Sequence, residues 1–152
     1  VAGPGEVAVE RSEVEGAVAV VASHDGYVAD FGVLHERTLR LSAAGDRLDG
    51  RDRVVPAGGN PADAPYAVRF HLHPAIRVEL LPGGEVRLQG AMGEAWEFHS
   101  ADVAATIEDS VHLADLHGLR RTSQIVLASP QGGPREIRWT FRRTGPRRSQ
   151  TV

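Results

Sequence analysis

The 152-residue chain has no cysteine, no lysine, a single methionine and few aromatics. Without cysteine there is neither a disulfide framework nor a thiolate metal site, and cysteine usage says nothing about compartment. Without lysine, all 17 positive charges are arginines. A GC-rich coding sequence produces that bias, and so does selection for planar, bidentate partners of carboxylates and sulfates. Aromatic residues make up 5% of the chain, too few for stacking platforms that hold neutral sugars. The formal charge of −3 argues against nucleic acid, which needs a basic surface. No apolar run is long enough to cross a membrane as a helix. No segment keeps a 3.6-residue period over three turns, so there are no crossover helices to support a parallel sheet. A phosphate-binding loop, a zinc-protease helix and a recognisable Ser-His-Asp context are all missing.

What the chain does have is strand pattern. Runs over residues 7–14 and 17–23 flank the turn Glu15-Gly16 and read as a hairpin. Gly26 and Gly32 bracket a short strand. Longer strands follow over 33–41 and 47–55, and residues 56–65, rich in Pro, Gly, Asn and Asp, form a loop. Strand-like runs resume at 66–73, 76–81, 85–89, 95–99, 103–107, 120–128 and 136–143. Short strands with a turn signal every 8–12 residues predict an all-β fold, an antiparallel β-sandwich. The expected organisation is one domain over residues 1–144, followed by a polar, basic tail over 145–152. The chain starts Val-Ala-Gly, and its methionine is Met92. It reads as a piece of a longer protein.

Three constellations offer chemistry. In the run Phe70-His71-Leu72-His73-Pro74, alternation puts Arg69, His71 and His73 on one strand face and Tyr66, Val68, Phe70 and Leu72 on the other. The apolar face suits a core. The cationic face suits a metal, an acidic polysaccharide or plain solvent. Zinc needs three or four ligands, and His24, His35 or Asp109 would supply a third only if the fold brought it close. The second constellation, His24-Asp25-Gly26-Tyr27, gathers a base, a carboxylate and a phenol, yet Asp-Gly is also a strong turn signal. The third is His35 and Arg37, which share a strand face with Val33, Leu39 and Leu41. Two polar groups among apolar neighbours must find partners, and Asp46, Asp49 and Asp52 are the acids available to Arg37.

Read in order, His24-Asp25-Gly26-Tyr27, then residues 32–37 leading into Leu39-Arg40-Leu41, then Leu48-Asp49-Gly50-Arg51-Asp52, then residues 70–74, resemble the C-terminal region of the heparinase II/III-like family. Residues 122–127 and 137–141 continue the likeness. The resemblance implies the C-terminal, super-sandwich-like part of a polysaccharide lyase without its N-terminal helical toroid. Such a lyase cleaves acidic polysaccharides by β-elimination at a uronic acid, and the piece by itself is expected to be inactive. It also implies partners: acidic polysaccharide and the helical domain of the same chain, with no nucleic acid and no membrane span. The parent is expected to be periplasmic or secreted. The histidine motifs typical of the family's catalytic and metal sites are not found in these residues. The resemblance therefore assigns no catalytic residue, no metal ligand and no cofactor here, although a divalent metal belongs to some whole members. The substrate-facing candidates are His24, Tyr27, His35, Arg37, Arg69, His71 and His73. The alternative to the lyase portion is a non-catalytic carbohydrate-binding or structural sandwich module.

Overall fold

The computed structural model describes residues 3–58, 63–113 and 118–145. Eleven strands and one helical turn are present among them: β1 (Val7–Val14), β2 (Ala17–His24), α1 (Val28–Phe31), β3 (Val33–Leu41), β4 (Arg47–Pro56), β5 (Tyr66–His71), β6 (Arg77–Leu80), β7 (Val86–Gln89), β8 (Ala95–Ser100), β9 (Ala105–His112), β10 (Arg120–Ser129) and β11 (Glu136–Arg143). They form two sheets, an eight-stranded one in the order β1-β2-β3-β4-β11-β8-β7-β6 and a three-stranded one in the order β5-β10-β9. Every described pairing is antiparallel. The fold is the antiparallel β-sandwich that the strand pattern predicts.

The core lies between the small sheet and the middle of the large one. Val86, Leu88, Phe98, Ile137 and Trp139 of the large sheet meet Val68, Ile125, Leu127 and Ala105 of the small sheet. Phe70 fixes the alignment. Its ring stands edge-on to Trp139 at 4.8 Å between centroids and also touches Phe98 and Phe141. Burial of each such side chain is worth roughly 1.5–3 kcal/mol. The large sheet is wider than its cover. Leu39 of β3 and Leu48 of β4 reach the core, but β1 and β2 add nothing to it. Val7 and Val9 on β1 stay 60% and 67% exposed.

Three local expectations need correction. Gly26 and Gly32 do not bracket a strand. His24 pairs directly with His35, so the residues between them must form the connection. They coil into α1, which Gly32 ends in the left-handed region at φ 65°. The strand expected over 66–73 stops at His71. Pro74 has no N–H for a ladder, and the chain turns instead, with Ile76 N–H donating to the His73 carbonyl. The strand expected over 103–107 runs from Ala105 to His112. In its later half Glu108 and Ser110 are polar because one face of the small sheet looks outward. Part of the predicted loop (residues 59–62) and most of the predicted tail (146–152) lie outside the described residues.

Candidate functional site

Where β5 passes over β3 and β4, the two sheets do not close on each other. A cavity of about 440 Å³ lies there, bounded by α1 at Tyr27 and Phe31, by Val33, His35, Arg37, Asp52 and Val54, and by the segment from Asp63 to Arg69. Ser129, Gly133 and Arg135 complete its wall. Alternation on paired strands assembles its floor. Arg37 lies opposite Asp52, and His35 opposite His24 and Val54, so all four polar side chains point to the same side of the sheet.

Asp52 is the hub. Its carboxylate is 1% exposed and takes three hydrogen bonds of 2.7 Å. His35 Nε2 and Arg37 Nε donate to Oδ1, and Trp139 Nε1 donates to Oδ2. Burial pushes this carboxyl up, but the donors from His35, Arg37 and Trp139 and the charge of Arg37 outweigh it, and the net shift is downward. The imidazoles line up behind it. The Gly26 amide donates to His24 Nδ1 at 3.2 Å, His24 Nε2 meets His35 Nδ1 at 3.2 Å, and His35 Nε2 reaches Asp52. The contacts run without a break from Gly26 through His24 and His35 to Asp52. Tyr27 sits beside this chain, its ring 5.4 Å from that of His24. The guanidinium of Arg37 continues over Phe70 and Trp139 at 5.9 and 6.0 Å.

On the opposite wall, Tyr66 donates to the Pro134 carbonyl at 2.8 Å. Burial, reinforced by the negative charge of Asp52, raises its phenol above the ordinary value. Arg135 lines the cavity and has no acidic partner among the described residues. The site is therefore half apolar and half polar, with Arg37 and Arg135 as its guanidinium groups and a pair of hydrogen-bonded imidazoles at its floor.

The candidates separate into two groups. His24, Tyr27, His35 and Arg37 come together around Asp52. Arg69 and His71 lie on the outer face of the small sheet, and His73 lies in the turn beyond it. Arg69 pairs with Glu108 at 2.7 Å, His71 Nδ1 meets Ser110 Oγ at 2.7 Å, and His73 Nδ1 accepts the Ala75 amide. Arg69 alone also reaches the cavity wall. The third ligands considered for the histidine pair do not join it. His24 and His35 belong to the large sheet, and Asp109 lies opposite Ser123, on the other face from His71. His112 does approach, with its ring 5.1 Å from that of His73. Among the described residues no group of three or more His, Cys, Asp or Glu side chains is arranged to hold a metal ion, and no helix is long and apolar enough to cross a membrane. Sequence reasoning did not single out Tyr66, Arg135 or Trp139 as parts of the site. Trp139 was visible only as a core residue, although a buried indole N–H always requires an acceptor.

Comparison with known proteins agrees with this architecture. The heparinase II/III-like, C-terminal family matches residues 2–140. FtsZ-localized protein C of Caulobacter vibrioides is 36% identical over 149 residues, which cover 90% of this chain and 25% of that protein. Heparan sulfate lyase HepC of Pedobacter heparinus superimposes with a TM-score of 0.74 at 9% identity, covering 95% of this chain and 22% of the enzyme. A mutant of the same lyase gives the same score at 8% identity. The chain thus spans about a quarter of the length of the proteins it matches. At such low identity the lyase likeness is one of fold, whereas the family match extends over nearly the whole sequence. This chain belongs to the heparinase II/III-like C-terminal family, a polysaccharide-lyase-related sandwich.

Proposed function

We propose that the chain is the C-terminal sandwich portion of a heparinase II/III-like polysaccharide lyase that acts on uronic-acid-containing acidic polysaccharides, and that it cleaves nothing by itself. The observation that carries this reading is the inter-sheet cavity, where Arg37 and Arg135 stand near the His24–His35 pair and the Tyr27 phenol. Guanidinium groups suit the carboxylate or sulfate of an acidic sugar. β-Elimination also needs the uronate charge neutralised, the C5 proton removed and the glycosidic oxygen released. On this reading the present residues contribute the first of these requirements, and the rest of the protein supplies the others.

The parent protein, assayed on a panel of uronate polymers, should release unsaturated products that absorb in the near ultraviolet, and the 152-residue chain should release none. The chain should still bind heparin or alginate in a salt-sensitive way, weakened by Arg135→Ala and Arg69→Ala. A parent that cleaves no polymer in a broad panel overturns the lyase assignment. Loss of salt sensitivity overturns the cationic contact. This reading also makes the parent an exported protein, which cell fractionation tests.

A second reading rests on the 36% identity with a protein named for its localisation with FtsZ. Here the sandwich is a non-catalytic module of a division-associated protein. A fluorescent fusion of the parent that gathers at the division plane, together with inactivity on every polymer, favours this reading over the first.

A further inference from the structure

We propose that the His24–His35 pair is an acid-operated latch. One further proton on the pair breaks its hold on the connection from Gly26 to Gly32 and loosens Tyr27 and Phe31, the aromatic wall of the inter-sheet cavity. The latch works whatever ligand the cavity takes, so it stands apart from the glycan reading.

A count of ring nitrogens carries the latch. The Gly26 amide is a donor, so His24 Nδ1 must be bare to accept it at 3.2 Å. The contact between His24 Nε2 and His35 Nδ1, also 3.2 Å, needs one bare nitrogen and one protonated one. His35 Nε2 faces the Asp52 carboxylate at 2.7 Å, which calls for a proton there. All three contacts together need two bare nitrogens of the four, and so two ring protons. A third proton leaves one bare nitrogen for two contacts, and one of them must break whichever tautomers the rings adopt. Both of those contacts belong to His24. Its bond to Gly26 is exposed, whereas His35 is held from behind by the buried Asp52.

The His24 ring supports the wall. Tyr27 lies 5.4 Å from His24 and 6.4 Å from Phe31 between ring centroids, and both aromatics line the cavity. α1 is a single turn with no buried residue, so the core does not hold it. The connection has a second tether: Asp25 Oδ1 accepts the Gly5 and Glu6 amides at 2.8 and 3.1 Å. The other charged or titratable groups about the pair are Arg37 and Asp52 on β3 and β4, Tyr27 in the connection, and Tyr66 and Arg135 across the cavity. β1 places only Val7 opposite His24. Carboxylates, phenols and guanidinium groups ordinarily change charge outside the range of about pH 5–7.5, and imidazoles within it.

The test is NMR on the isotopically labelled 152-residue chain between about pH 7.5 and 5, with ring signals reporting the charge of each histidine. As the pair takes its third proton, ring cross-peaks between His24 and Tyr27 should fall by more than about half. Exchange protection of the Gly26 amide, corrected for the intrinsic rate, should drop at least about five-fold. The Gly5 and Glu6 amides should keep theirs. His24→Gln has no titratable ring at this position, so its Tyr27 and Phe31 signals should not respond to pH over this range. His71→Gln, on the outer face of the small sheet, should respond as wild type does. The wild-type titration decides by itself if either variant is unstable. A pair that takes no third proton above about pH 5 overturns the proposal. So does a third proton that leaves Gly26 and Tyr27 undisturbed, the same response in His24→Gln, or simultaneous loss of protection at Gly5 and Glu6.

Discussion

Replacing Asp52 by alanine strips the acceptor from three donors at once. Trp139 Nε1 and Arg37 Nε each lose a 2.7 Å bond, and so does His35 Nε2. The indole is 4% exposed, so water cannot readily replace the carboxylate there. Removing one partner of a buried charged pair costs about 3–5 kcal/mol, a large part of the roughly 5–15 kcal/mol that holds a domain folded. For a domain of this size that is a fall in Tm of about 6–20 °C. Asp52→Asn keeps one acceptor oxygen and presents an amide to a donor, and should cost less, about 1–3 kcal/mol. Urea unfolding followed by tryptophan fluorescence measures both. The pH dependence gives a second handle. The folded-state pKa of Asp52 lies below its ordinary 3.8, so its stabilisation is complete above the unfolded value near ~3.9 and fades as pH falls through the lower folded value. Wild-type protein should therefore lose stability towards pH 3 and below more steeply than Asp52→Asn. An Asp52→Ala protein within about 1 kcal/mol of wild type, or an unchanged acid limb in Asp52→Asn, would refute the hub.

Other expectations follow from neighbouring contacts. Phe70→Ala empties the space between Trp139, Phe98 and Phe141 and should cost about 3–5 kcal/mol in chemical denaturation. Gly50→Ala drives a methyl into the Trp139 ring that lies across this glycine. It should cost about 1–3 kcal/mol and shift the tryptophan emission. Tyr66→Phe removes the bond to the Pro134 carbonyl and should lower stability by about 1 kcal/mol. In the wild type, ultraviolet titration should show this phenol ionising above the ordinary tyrosine range. Arg138 holds Asp102 through two side-chain bonds of 2.7 and 3.1 Å. Those bonds keep the carboxyl below its usual value despite some burial, and carboxyl titration by NMR should find it raised in Arg138→Ala.

Much of this fold was legible in the sequence. The two-residue period, the hairpin turn at Glu15-Gly16 and the strand Glu136–Arg143 appear in the structure as the pattern predicts. The failures share a cause. Residues 27–31 have strand-like composition, but β2 already has β1 and β3 on its two sides, so no ladder was left for them. β9 was cut short because Glu108 and Ser110 face outward and hide the period. For the site, the sequence offered His35, Arg37 and three candidate acids. Register chooses among these. Asp52 faces Arg37 directly, while Asp49 faces Arg40 and bonds to Thr140 and Arg47 instead. The convergence of Trp139 on the same carboxylate spans 87 residues, and no local pattern encodes such a meeting.

β11 lies between β4 and β8. The first four strands pair only among themselves until it arrives, and so do β6, β7 and β8. In the order of the chain, the large sheet consists of two separate meanders until β11 is in place, and that single insertion joins them. Until that moment the buried faces of both halves are open to solvent and to each other's wrong edges. A chain truncated just before Glu136 should be sticky and protease-sensitive, and one extended by the eight residues of β11 should be resistant. Folding dominated by so late and distant a contact is expected to be slow.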